Sequence, residues 1–126
     1  MQTERAVVYI IDDDSSVRRA LQRLVHSAGY EARGFSSGAE FLTSEHSFRP
    51  GCVVVDLRLS DMHGLEFQRR VAGTDPGLPV IVLTAFDDEL TRRDALQNGA
   101  VAFLSKPFDD QLLLEAIRVA LGGSPG

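Results

Sequence analysis

The chain has 126 residues, a formal net charge of −5, 44% hydrophobic and 25% charged residues, and one cysteine. That size suits a single domain with one core, and the acidic balance excludes a domain that itself grips nucleic acid, because phosphate contacts need clustered Lys and Arg. No apolar run is long enough to span a bilayer, no signal peptide is expected, and Cys52 cannot form an internal disulfide, so a cytoplasmic location without a membrane partner is expected.

In chain order, Val7–Ile11 reads as a buried strand that runs into Asp12-Asp13-Asp14. Ser15 and Ser16 are N-cap candidates for a first helix carrying Val17, Leu21, Leu24, Val25 and Ala28 at helical spacing, with Gly29 at its close. A weaker strand covers Tyr30 to Phe35. Ser37-Gly38-Ala39-Glu40 matches a capping box, which predicts a short helix to about Glu45, and Arg49-Pro50-Gly51 is a turn. Cys52-Val53-Val54-Val55-Asp56 is the central strand, buried on both faces and ending on a charge. The loop Leu57 to Gly64 follows, then a helix with Leu65, Phe67 and Val71 that ends near Gly73, and a turn at Asp75-Pro76-Gly77.

Pro79 opens a fourth strand, Val80–Thr84. Asp87 or Asp88 caps a fourth helix reaching Asn98-Gly99; with few large apolar residues besides Leu90 and Leu96, it is expected to be the most loosely held. Val101–Ser105 is the fifth strand. Lys106-Pro107-Phe108 follows, and Asp109 caps a last helix with Leu112, Leu113, Ala116, Ile117, Ala120 and Leu121. Residues 1–121 form the expected domain; 122–126 are a flexible tail or the start of a linker.

Strand and helix alternate five times, which predicts a parallel sheet with helices on both faces, and right-handed crossovers restrict the topology further. The flavodoxin-like case is a three-layer α/β/α, (βα)5 fold with a five-stranded sheet in order 2-1-3-4-5. In that order the carboxyl ends of strands one, three, four and five line one shallow cleft. It would gather Asp12, Asp13, Asp56, Thr84 and Lys106. Two carboxylates about 4 Å apart repel by about 4 kcal/mol at an effective dielectric of 20, and Lys106 offsets only part of that. A hard divalent cation with oxygen ligands would relieve the rest and suits Mg²⁺. A carboxylate beside that charge is a nucleophile able to form an acyl phosphate.

The anchors Ile11-Asp12-Asp13-Asp14, Asp56 at a strand end, Asp61-Met62-His63-Gly64, Thr84-Ala85, Gly99-Ala100 and Lys106-Pro107-Phe108 resemble a response-regulator receiver domain of two-component signalling, the CheY-like superfamily, over about Val7 to Leu121. The resemblance implies Asp56 as phosphoacceptor and Asp13 as direct Mg²⁺ ligand, with Asp12 acting largely through water and the Arg58 backbone carbonyl as a further ligand; Mn²⁺ is a substitute. It implies Thr84 as the hydroxyl that turns toward the phosphoryl group, Lys106 as its ammonium partner, Phe103 as an aromatic switch, and a cis bond before Pro107. It also implies a sensor histidine kinase as donor, meeting a surface around the first helix near Val17 and Leu21. Phosphorylation would switch the helix 4, strand 5, helix 5 face, including homodimerisation there. Details such as Val17-Arg18 and Phe103 are similar to the branch usually followed by a LuxR-type helix-turn-helix, which makes transcription the expected output through a domain outside this chain.

Two departures stand out. Ser60 occupies a position where this family very often has Pro, so the loop is expected to be less stiff there. Arg58 and Phe86 occupy the positions that, in the family it resembles, tune access of the hydrolytic water. On this reading the chain accepts its own phosphoryl group and slowly loses it, and is no turnover enzyme on external substrates. The alternatives are a stand-alone receiver acting by protein contacts, or an aspartyl-nucleophile phosphohydrolase suggested by Asp12-Asp13-Asp14-Ser15-Ser16. A flavodoxin-like nucleotide binder is disfavoured by its acidic first loop. Asp14 reads as a helix-start residue, and His26, His46 and His63 as exposed.

Overall fold

A computed structural model describes residues 6–44, 51–74, 77–85 and 88–122. Its elements alternate as expected: β1 (Val7–Ile11), α1 (Ser15–Ser27), β2 (Glu31–Phe35), α2 (Gly38–Leu42), β3 (Gly51–Asp56), α3 (Gly64–Thr74), β4 (Val80–Thr84), α4 (Glu89–Gln97), β5 (Ala102–Ser105) and α5 (Asp110–Ala120). The strands form one parallel sheet in the order β2-β1-β3-β4-β5.

Side chains alternate across a strand, so each strand feeds two cores. Val7, Tyr9, Ile11, Val53, Val55, Val80, Val82 and Phe103 pack with Phe41, Phe67, Val71 and Ala95, under α2, α3 and α4. Val8, Ile10, Cys52, Val54, Ile81 and Leu83 pack with Leu21, Val25, Leu113 and Ile117, under α1 and α5. Phe41 is fully buried, with ring centroids 5.2 Å from Tyr9, 5.3 Å from Phe35 and 5.6 Å from Phe67. Truncating such a ring to Ala typically costs about 3–5 kcal/mol.

Several boundaries differ from the sequence reading, each for a local reason. Asp14, read as a helix-start residue, is the cap of α1 in place of the candidates Ser15 and Ser16: its backbone is extended and its Oδ1 accepts from the N–H groups of Ser16 and Val17 at 2.9 and 3.2 Å. Tyr30 belongs to the helix exit, its N–H donating to the Val25 carbonyl, so β2 starts at Glu31. The helix α2 stops at Leu42, where Thr43 Oγ1 and Ser44 Oγ donate back to the carbonyls of Ala39 and Phe41. Between the two candidates, Asp88 is the cap of α4, accepting from Thr91 N at 2.8 Å.

Helix α4 is held even more thinly than expected. Leu90 and Leu96 are 67% and 46% exposed, and Ala95 is its buried residue. Glu45, His46, Arg49-Pro50, Asp75-Pro76, Phe86, Asp87 and residues 123–126 lie outside the described residues.

Candidate functional site

The parallel sheet delivers the strand ends to one rim, and three charged side chains meet there. Asp56, the last residue of β3, accepts from Arg58 N at 2.9 Å through Oδ1 and from Lys106 Nζ at 2.8 Å through Oδ2. Lys106 follows β5, and its N–H donates to the Thr84 carbonyl at 2.6 Å, which ties the lysine to the end of β4. The Lys106–Pro107 peptide bond is cis.

Asp12 follows β1 and is 2% exposed. Its N–H donates to the Phe35 carbonyl, and its own carbonyl accepts from Arg18 Nη1 at 2.7 Å. Oδ1 of Asp12 accepts from Asp14 N at 2.9 Å. Oδ2 is buried with no hydrogen bond; Lys106 Nζ stands 3.6 Å away, an ion-pair distance too long for a hydrogen bond. The ammonium thus stands between two carboxylates. Thr84 is fully buried at the end of β4, whereas Asp13 is exposed.

Burial pushes the Asp12 carboxyl above its ordinary range, more than the Asp14 N–H and Lys106 pull it down, while the negative charges of Asp56 and Asp13 push it further up. Burial also works against the Lys106 ammonium, but the Asp56 hydrogen bond and the charges of Asp56 and Asp12 outweigh it, so the lysine sits above its ordinary value. One cation therefore serves two acids, and the pair remains short of positive charge.

Among the described residues, no three His, Cys, Asp or Glu side chains are grouped closely enough to hold a metal by themselves. Asp12 and Asp56 converge, and Asp13, the next residue in the chain, faces solvent. The chemistry of the donors nevertheless fits Mg²⁺. All are oxygens, the buried Oδ2 of Asp12 has an open acceptor position, and Mg²⁺ keeps several waters and needs few protein ligands.

The loop after Asp56 is ordered by contacts that the sequence reading missed. The Asp61 carboxylate accepts from Gly38 N at 3.1 Å and Ala39 N at 3.0 Å, so the loop caps α2 across more than twenty residues of sequence. Gly64 N donates to the Leu57 carbonyl at 2.6 Å, Arg58 and His63 form an antiparallel bridge, and His63 Nδ1 accepts from Leu65 N at 3.2 Å. These bonds flank Ser60 on both sides. Gly64 is required by close approach: a Cβ there would lie 2.8 Å from Leu57 Cα and 3.1 Å from its oxygen. The only sequence signal for the Asp61 clamp was the N-terminal chemistry of α2, which Ser37 already explained through its Oγ bond to Glu40 N.

Phe103 points inward, 5% exposed, on the α3 and α4 side of the sheet. His26 and His63 are exposed. Val17, Ala20, Leu21 and Leu24 of α1 line a groove with Pro107 and Phe108, together with the charged Lys106 and Asp110.

Comparison with known proteins places these features in context. The profile of the response regulator receiver domain matches residues 8–118. The response regulator protein TmoT of Ectopseudomonas mendocina is 38% identical over 125 residues, covering 99% of this chain and 57% of TmoT. The chain thus spans little more than half the length of that curated relative. The crystal structure of FixJ-N superposes with a TM-score of 0.86 at 32% identity, covering 98% of this chain and 99% of that one. The solution structure of the beryllofluoride-activated NtrC4 receiver domain dimer gives a TM-score of 0.85 at 27% identity, covering 92% and 96%.

Proposed function

The chain belongs to the response regulator receiver domain family, and from that premise we propose that Asp56 accepts a phosphoryl group from a sensor histidine kinase. The observation that carries this reading is the Asp56 carboxylate gripped by Arg58 N and Lys106 Nζ beside the buried, unsatisfied Oδ2 of Asp12. A carboxylate oxygen of Asp56 forms the new P–O bond as the P–N bond of the donor phosphohistidine breaks, and the proton-bearing imidazole leaves. Lys106, already 2.8 Å from Asp56, is placed to meet a phosphoryl oxygen.

Asp12, Asp13, Asp56 and the Arg58 carbonyl would hold Mg²⁺, with Mn²⁺ as a substitute. When bound, the ion neutralises charge on the transferring group. Thr84 and Phe103 carry the change toward α4, β5 and α5. Around those elements Leu90, Leu96, Val101, Leu112 and Val119 are exposed, which supports a homodimer there, as the activated NtrC4 receiver is a dimer. The groove between α1 and Pro107-Phe108 opens beside Lys106 and suits the apolar face of a kinase helix. The protein is not a turnover enzyme. A transcriptional output through a domain outside this chain is supported by the relatives named as transcriptional regulatory proteins, TdiR of Thauera aromatica at 37% identity and FixJ of Azorhizobium caulinodans at 36%; a stand-alone receiver acting by protein contacts is the alternative.

The test is acetyl phosphate with Mg²⁺ and intact-mass detection. One phosphoryl group should be added, and Asp56→Asn should abolish it. Labelling at any other residue refutes the assignment.

A further inference from the structure

The guanidinium carbon of Arg92 on α4 lies 4.9 Å from the centroid of the Phe103 ring, within the range of a cation–π contact. We propose that Arg92 is the positioning residue that holds the Phe103 ring inward and so sets how readily α4 responds to the phosphoryl group. This rests on the reading of Asp56 as phosphoacceptor.

The sheet register links the parts. Val82 pairs with Phe103 and Thr84 with Ser105. Residues two apart share a face, so Thr84 and Phe103 lie on the same side of the sheet, the side α4 covers. A change at the rim near Thr84 therefore meets the ring next, and the ring meets Arg92.

Helix α4 is anchored unevenly, which gives this contact leverage. Toward its C-terminal end Ala95 is buried, and its carbonyl accepts from Gln68 Nε2 at 3.0 Å and from Ala100 N at 3.0 Å. Gln68 is itself 2% exposed, so the pin is firm. Toward the N-terminal end Leu90 turns to solvent, 67% exposed, and Arg92 is presented to the sheet. The helix is thus pinned at Ala95 and latched at Arg92. A planar guanidinium can stack on a ring where an ammonium cannot, so lysine should serve only in part.

Coupling of this kind is reciprocal. If Arg92 favours the inward ring, and the inward ring favours the phosphorylated state, loss of Arg92 weakens binding of a phosphoryl mimic by the same factor. A partly exposed cation–π contact corresponds to about a two- to fivefold change.

The test uses the full 126-residue chain with Mg²⁺ and beryllofluoride, followed by NMR. In the wild type, the Arg92 side-chain protons should carry an upfield ring-current shift from Phe103. Arg92→Ala should shift the Phe103 ring signals and weaken beryllofluoride binding about two- to fivefold. Arg92→Lys should fall between, and Arg93→Ala, on the exposed side of the same helix, should match the wild type. Should Arg92→Ala lose stability, Arg92→Met keeps the apolar stem without the charge, and the same weakening is expected. A wild-type response with unchanged Phe103 signals or unchanged affinity in the charge-less variant overturns the role of Arg92 alone. A wild type blind to beryllofluoride overturns the Asp56 reading, and the coupling with it.

Discussion

Lys106 Nζ donates to Asp56 Oδ2 at 2.8 Å, joining the ends of β5 and β3 across 50 residues of sequence. The same ammonium stands 3.6 Å from Asp12 Oδ2. Its removal should therefore act on both acids. Lys106→Met should slow labelling by acetyl phosphate while tightening Mg²⁺ binding several-fold, since a cation that competes for the same carboxylates is gone. Titration of Mg²⁺ against thermal stability checks this, and an unchanged affinity would contradict the shared-cation geometry.

Asp12 is buried with one oxygen lacking a hydrogen bond, so its charge opposes folding when no cation is bound. Asp12→Asn keeps the oxygen that accepts from Asp14 N and removes the charge. In EDTA at neutral pH the variant should be no less stable than the wild type, because the burial that raises the Asp12 carboxyl no longer acts on a charge. Adding Mg²⁺ should stabilise the wild type by mass action and the variant much less. Denaturant melts with and without Mg²⁺ make the comparison; equal gains would remove Asp12 from the metal site.

The loop geometry predicts two further effects. Gly64→Ala would force a Cβ against the Leu57 backbone at 2.8 Å, where nothing flexible can yield. Overpacking of this kind costs about 1–3 kcal/mol. Asp61→Ala deletes the cap on Gly38 and Ala39 and should cost about 1 kcal/mol. Both should slow labelling at Asp56 as well as lower stability, because the loop that carries Arg58 N is displaced. Full labelling rate in a destabilised Gly64→Ala protein would show that the loop does not position Asp56.

Cys52 is fully buried in β3, and burial pushes its thiol from 9.0 up to about 12. The raised value means that folding favours the protonated thiol. That contribution is whole below about pH 9 and is lost as pH rises toward 12. Stability should therefore fall across this window more steeply in the wild type than in Cys52→Ala. Every other group that titrates in alkali is present in both proteins, so its contribution cancels. At neutral pH, a thiol reagent should react only as fast as the protein unfolds; rapid labelling of the native protein would contradict the burial.

Much of this was legible in the amino-acid order. The periods of 2 and 3.6 are local properties, so five apolar runs and five amphipathic stretches could be read without knowing any contact. Each of the runs β1, β3, β4 and β5 leads at its carboxyl end into a polar or chargeable residue, and the rule for parallel sheets sends those ends to one rim. Asp12, Asp56, Thr84 and Lys106 were found that way. Ambiguity fell where local options were nearly equal in energy, as with Asp14, Ser15 and Ser16 at the start of α1.

The order of amino acids alone therefore carried the alternation and the polar residues at the strand ends, because these follow from spacing, while right-handed crossovers narrowed the sheet order without choosing one. Folding in three dimensions settled which acid the lysine grips, that Asp61 reaches back to α2, and that Ala95 and Arg92 of α4 face the sheet while its leucines face water. Those outcomes depend on helix rotation and on partners dozens of residues away. No local pattern encodes either, since the same side chain can face the core or the solvent at almost the same local energy.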